Sequence, residues 1–270
     1  MKRIETRHWT FFGLFVCIGL VMLLNIKLDI PVSVQTQKMY DYIDSLPTGT
    51  VLMVSFDHEA SSLPEIRPVG LAILRHAFSK GHRLIGLALL AEGTVIGYRL
   101  MQKTAAEYGR EYGKDYVYLG FKPQYIAAIL SMGESIPRTF PQDYLGRPYE
   151  QFELLKEVND YGDITAVISI TDGSLTTHWM EYGGARYGVK VLSGMTAAMV
   201  TTFDPYVASG QMYSLVAGLR GAAEYERLID RKGGGTRGMM AQTTAHFYVI
   251  LLVLLGNLLY FKSRKQRKTQ

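Results

Sequence analysis

ITAVISITDGS, residues 164–174, is the stretch on which the fold turns. A mostly apolar, β-branched run breaks abruptly into Thr171-Asp172-Gly173-Ser174, which is how a buried parallel strand ends at a helix. Strands of this kind carry their functional groups just past their carboxyl ends. Thr171, Asp172 and Ser174 are therefore placed where a ligand would be met.

The same pattern repeats on either side. Continuous apolar runs at Thr50–Phe56, Arg83–Ala91, Asp115–Phe121 and Val189–Leu192 give, with Ile164–Thr171, five expected strands. Helical patterns separate them. A connecting helix is expected over Ser33–Leu46, where Met39, Tyr42, Ile43 and Leu46 share one face. Ser62 and Glu65 stand in capping-box spacing with Pro64 in the first turn, which predicts a helix start there. Further helices are expected over Gly93–Tyr112, Gln124–Met132, Tyr149–Asn159 and Leu175–Tyr187, and a long one opens at Asp204-Pro205 and runs to Ile229. Strands alternating with helices predict an α/β domain over residues 33–232, with a Rossmann-like or flavodoxin-like parallel sheet of about five strands covered on both faces. The irregular stretch 133–148, GESIPRTFPQDYLGRP, is long for a compact domain, and its aromatics favour a binding role. A Gly-rich linker is expected over residues 233–242.

Two apolar segments flank the domain, residues 9–28, whose run WTFFGLFVCIGLVMLLNI over 9–26 is uncharged, and residues 243–261, the uncharged TTAHFYVILLVLLGNLLYF. Each has the length of a transmembrane helix with aromatics near its ends. Lys2, Arg3 and Arg7 before the first also suit a signal peptide, but the run is long for one and no small-x-small cleavage site follows. Lys262, Arg264, Lys265, Arg267 and Lys268 directly after the second form a cytoplasmic stop signal. The net charge of +5 is therefore located in the tails: residues 28–243 hold 20 Lys and Arg against 23 Asp and Glu. Both termini are expected in the cytoplasm with the domain extracytoplasmic, although Arg231, Lys232 and Arg237 run against that bias. A mildly acidic domain without a basic aromatic stripe argues against nucleic acid. The one cysteine, Cys17, lies in the first apolar segment, so the domain has no disulfide. The expected partners are the lipid bilayer and, through Gly13, Cys17 and Asn257 in the spans, further copies of the chain or other membrane proteins.

The carboxyl ends of the strands gather candidate site residues on one rim. Asp57, His58 and Glu59 follow the first strand, Glu92 the second, Lys122 the third, Asp172 and Ser174 the fourth, and Thr196 the fifth. Asp57, His58, Glu59, Asp172 and Ser174 are the ligand-binding candidates, with Asp57 and Asp172 as candidate ligands of a divalent cation. Asp172 and Ser174 are also explained as helix caps, so Asp57-His58-Glu59 carries more of the site. His178 follows Ser174 by one helical turn, but no Gly-x-Ser-x-Gly surrounds the serine, and His76 and His82 read as surface residues. Ile-Thr-Asp-Gly together with Asp57-x-Glu59-x-Ser61 resembles the metal-ion-dependent adhesion site of von Willebrand A domains, but that family has Ser where this chain has Glu59. No Gly-x-Gly-x-x-Gly and no phosphate loop are present, so no nucleotide cofactor is expected. The expectation is a membrane-anchored extracytoplasmic binding or assembly module; the alternative is a metal-dependent hydrolase at the rim.

Overall fold

The computed structural model describes residues 6–24 and 31–267. Lys2, Arg3, Lys268 and residues 25–28 of the first apolar segment lie outside the described residues. The chain divides into two compact units, Ile30–Thr236 and a second made of Met1–Asp29 with Arg237–Gln270.

In the larger unit, helix α2 (Val34–Ser45) buries Met39 and Ile43 and leads into β1 (Val51–Asp57), all seven residues of which are buried. The chain then alternates through α3 (Leu63–Ser79), β2 (Arg83–Ala88), α4 (Ala91–Glu107), β3 (Tyr116–Phe121), α5 (Tyr125–Glu134) and the short α6 (Ile136–Thr139). It continues through β4 (Ala166–Thr171), α7 (Leu175–His178), a π-helical turn (Trp179–Gly184), α8 (Ala185–Tyr187), β5 (Lys190–Met195), α9 (Val200–Ala208), β6 (Ser214–Ala217) and α10 (Gly218–Leu228). Every strand pair is parallel and the order is β3-β2-β1-β4-β5-β6. Of the two expected windings this is the Rossmann one. One apolar cluster, with Ile66, Val69, Phe78 and Tyr225, covers one face of the sheet, and another, with Ile129, Trp179 and Phe203, covers the other.

The sheet has six strands rather than five. The sixth lies inside what the sequence offers as one helix from Asp204 to Ile229. Gly210 (φ 79°) and Gly218 (φ 62°) adopt left-handed backbone that glycine alone accepts cheaply, and they bracket the four-residue strand SLVA. Asp204 and Pro205 consequently lie within α9 rather than at its start. The helix expected over Tyr149–Asn159 is replaced by two 3-10 turns, Tyr149–Gln151 and Leu154–Glu157. Tyr149, Phe152, Leu154, Leu155 and Val158 are all buried, a spacing too dense for one helical stripe.

The stretch 133–148 is an edge cover rather than an open binding loop. Tyr144 N–H donates to Tyr118 O at 2.9 Å, so the loop occupies the outer edge of β3. Phe140 and Asp143 are buried beneath it, Asp143 taking Arg147 Nη2 at 2.7 Å and Tyr112 OH at 2.8 Å. Glycines set the fit of α4. A Cβ on Gly93 would lie 1.9 Å from Phe56 O, and one on Gly97 would strike the Phe56 ring, so α4 packs directly on the backbone of β1.

His76 and His82 are 2% and 0% exposed, not surface residues. Tyr225 OH donates to His76 Nδ1 (2.9 Å), and Nε2–H donates to Asp44 Oδ1 (3.3 Å), tying α10, α3 and α2 together. Both ring nitrogens are thus matched to a neutral imidazole, and burial lowers the His76 pKa to about 4.

The second unit contains α1 (Thr6–Leu23) and most of α11 (Gly234–Arg267). Among the described residues one helix, not two, is long and apolar enough to cross a membrane: the segment Gly234–Lys262, while the apolar helix Arg7–Leu23 is shorter. The expected linker 233–242 is helical from Gly234 onward. Its glycines serve contact, since a Cβ on Gly235 would lie 2.7 Å from the backbone of Ala222 and Ala223, and the buried Glu226 accepts Gly235 N–H and Thr236 N–H, each at 2.8 Å.

Two outcomes follow for stability. Gly93→Ala is expected to destabilise by about 1–3 kcal/mol through overpacking, despite alanine's better helix propensity. Gly173→Ala, whose Cβ would meet nothing within 4 Å, stays near neutral in the same urea titration. Because the folded state prefers neutral His76, the unfolded chain takes up the proton first as pH falls below 6.5. The wild type should therefore lose about 3 kcal/mol relative to His76→Gln between pH 7 and 4, measured as the difference in unfolding free energy.

Candidate functional site

The rim residues meet where the two halves of the sheet join. β1 pairs with β4 so that Asp57 lies opposite Thr171. The helix after β1 packs on one face and the segment after β4 on the other, which makes this the switch point where open α/β sheets offer a crevice. Asp57, His58 and Glu59 at the end of β1 and Asp172 and Ser174 after β4 therefore lie at neighbouring strand ends.

Asp57 nevertheless does not face the crevice. It is 0% exposed, and four donors fill its two oxygens. Oδ1 accepts Ser55 Oγ–H (2.7 Å) and Leu89 N–H (2.9 Å), while Oδ2 accepts Trp179 Nε1–H (3.1 Å) and Ser169 Oγ–H (3.3 Å). Burial pushes the carboxyl up to about 6, and the four donors pull in the opposite direction. The hydroxyls extend inward: Thr176 Oγ1–H donates to Ser169 Oγ (2.9 Å), and Ser193 Oγ–H donates to Ser169 O (2.9 Å). Ser55, Ser169 and Ser193 stand in register on three neighbouring strands, forming a polar stripe through the sheet.

The more accessible carboxylates of the rim, the exposed Glu92 and the half-buried Asp172 and Glu65, bind neighbouring loops. Asp172 Oδ2 accepts Glu59 N–H at 2.9 Å and Glu92 Oε2 accepts Ala60 N–H at 2.8 Å. Glu65 Oε1 accepts Ala197 N–H at 2.7 Å. The expected capping box of Ser62 and Glu65 is therefore not formed, and Ser62 Oγ donates to Glu59 O instead. Asp172 and Ser174 are not helix caps either: Asp172 holds the opposite loop, and Ser174 is exposed without a side-chain capping bond. His58 is 1% exposed, with Nδ1 3.2 Å from Glu59 O, and burial lowers its pKa. Lys122 Nζ donates to Thr139 O at 2.6 Å. His178 lies against Tyr125 with ring centroids 4.8 Å apart and the planes tilted by 32°, and its Nδ1 lies 3.9 Å from Glu181 Oε2.

Chemically, this rim is a set of closed contacts. Among the described residues, no three His, Cys, Asp or Glu side chains come together to hold a metal ion. Asp57 ends β1 and Asp172 directly follows the adjacent β4, but the oxygens of Asp57 are occupied by protein donors. Sequence reasoning missed Trp179, Ser55 and Ser169 as the partners of Asp57. The available signal was a single serine within each of three apolar strands, two residues before Asp57 in the first and on the same face. A cleft of about 630 Å³ lies elsewhere, at the amino-terminal ends of β5 and β6.

The arrangement defines a class, a doubly wound α/β unit with a closed rim joined in sequence to apolar helices. Comparison with protein-family models, characterised proteins and solved structures gives no match to this chain.

Asp57→Ala would leave Leu89 N–H and the Trp179 indole N–H buried and unpaired, at an expected cost of about 2–4 kcal/mol at pH 7. The fold raises the pKa of Asp57, so this group's contribution is present at low pH and lost as pH rises through about 6. The gap between wild type and variant should therefore widen from pH 7 to pH 5 in urea unfolding.

Proposed function

We propose that this chain is a membrane-anchored module whose α/β unit stands on the extracytoplasmic side and acts by binding or assembly within a membrane complex. The observation that carries this reading is α11. Its apolar stretch runs over Gly234–Lys262 with none of its most apolar window buried inside the chain, and a lipid bilayer is the medium that accepts such a surface. Exposed Phe247, Leu251, Leu254, Leu258 and Phe261 lie along it, and Lys262 and Arg264 close it.

The shorter α1 supports a second crossing. Tyr248 OH donates to Thr10 O at 2.9 Å, and a Cβ on Gly13 would meet the Tyr248 hydroxyl, so a glycine lets the two apolar helices approach. Close pairing of this kind is how helices associate in lipid, where packing replaces the hydrophobic drive. The rim favours an assembly role over a reaction there, because its carboxylates are engaged with backbone N–H groups of neighbouring loops.

Expected outcomes follow from the topology. A phosphatase fused after Gln270 should be inactive while a fluorescent protein at the same point is bright, and protease added outside intact cells should reach the α/β unit. In-membrane crosslinking should capture a second copy or another membrane protein. A phosphatase-active fusion would refute the orientation, and a monomer in mild detergent without any crosslinked neighbour would refute the assembly role.

A further inference from the structure

The apolar stretch of α11 has two sides, and one of them is covered within the chain. Its partly covered residues Thr244, Ala245, Tyr248 and Leu252 recur every three to four positions and form one stripe. Tyr248 brings that stripe against α1, its hydroxyl donating to Thr10 O and lying where a Cβ on Gly13 would fall. Asn257 follows Tyr248 by nine residues. At about 3.6 residues per turn this is about two and a half turns, which places the amide on the side of α11 away from α1. His246 precedes Asn257 by eleven residues, about three turns, so the two polar side chains stand on one line.

Both side chains are exposed, and among the described residues neither has a hydrogen-bond partner within the chain. Leu258, Leu259, Tyr260 and Phe261 follow Asn257, so its amide lies about one turn inside the apolar stretch. Lipid offers such an amide no hydrogen bonds, and polar side chains of spans accordingly turn toward another helix. α1 is on the wrong side to be that helix. Between His246 and Asn257 the same face carries Ile250 and Val253, which are exposed as well. These four residues are separated by steps of four, three and four, the spacing of a two-helix seam with a polar Asn at one of its core positions.

The amide also indicates which helix meets it. A carboxamide carries both donors and an acceptor, so Asn257 can bond its own twin. Copies of one chain enter the bilayer in one orientation, which sets their spans parallel and brings like residues level. A two-fold axis between them then satisfies both amides with one kind of contact.

We infer that α11 pairs in parallel with α11 of a second copy of this chain through His246, Ile250, Val253 and Asn257, the two Asn257 amides exchanging hydrogen bonds. The inference rests on the membrane reading above and names the partner within it. Gly13, by contrast, serves the contact inside one chain.

Disulfide trapping of the full-length protein in membranes tests it, in a Cys17→Ser background so that each variant carries a single cysteine. With copper phenanthroline as oxidant, Ile250→Cys and Val253→Cys should each give a disulfide-linked species of twice the chain mass. Leu259→Cys, exposed but on the α1 side of the helix, should give little of it. Sedimentation in mild detergent should show Asn257→Leu raising the dimer dissociation constant about fivefold, the order of one interhelical hydrogen bond, while Asn257→Gln, which keeps the amide, stays near the wild type. The inference is overturned if the seam cysteines give no dimer or trap a protein of another mass, if Leu259→Cys is trapped as readily as Ile250→Cys, or if Asn257→Leu dimerises like the wild type. Membrane anchoring survives each of those outcomes so long as the chain resists extraction by alkaline carbonate, whereas a chain that carbonate releases overturns both readings.

Discussion

A buried carboxylate accepting four hydrogen bonds joins the two halves of the sheet. Asp57 ends β1, and its donors come from β1 itself, from the turn after β2, from β4 and from the π-helical turn. Removing an ionised group from water is costly, and a pKa pushed up to about 6 shows that four donors do not fully offset burial. What the carboxylate supplies is geometry. Leu89 N–H and the Trp179 indole can only donate, one to each oxygen, so the group between them has to accept on both sides. This fixes the turn after β2 and the wall of the lower cleft relative to the same strand.

Around that point the rim loops satisfy one another. Asp172, Glu92 and Glu65 each accept a backbone N–H from a loop other than their own, so the segments following β1, β2, β4 and β5 are fastened together above the sheet. Glu65 and Glu92 also lie in the first turns of α3 and α4, where the helix dipole favours negative charge. In many doubly wound proteins that favourable position is available to a ligand's phosphate. Here the chain's own carboxylates occupy it. The accessible volume lies instead at the amino-terminal ends of β5 and β6, where left-handed glycines keep the turns low.

Most of the alternation was legible because each long strand is a continuous apolar run, and parallel strands buried on both faces have to be. β6 was not legible: four residues, SLVA, between two small-residue helices give neither length nor period, and its limits are set by backbone angles at Gly210 and Gly218. Asp57 and Asp172 stand at the ends of adjacent strands, as their positions after apolar runs imply, but their roles depend on which way each side chain points. Asp57 shares a face with Ser55, and the matching serines of β4 and β5 show that this face is an internal polar stripe. His76 and His82 looked like surface residues because polarity alone does not reveal a Tyr225 or an Ile43 carbonyl waiting across the helix layer. The glycines at 233–235 looked flexible for a similar reason, since a small residue needed for close contact has the same letter as one needed for freedom.

The junction between β1 and β4 also bears on the order in which the chain organises itself. Within each half, successive strands are joined by single helical crossovers, so their contacts are close in sequence. Asp57 and Ser169 are 112 residues apart. The entropy of closing so long a loop is recovered only once both halves offer a formed edge. The junction is thus placed among the last contacts to form, and the Asp57 carboxylate stays hydrated until its donors are in place. A charge that is expensive inside the finished protein therefore enters its interior when the receiving site is already built.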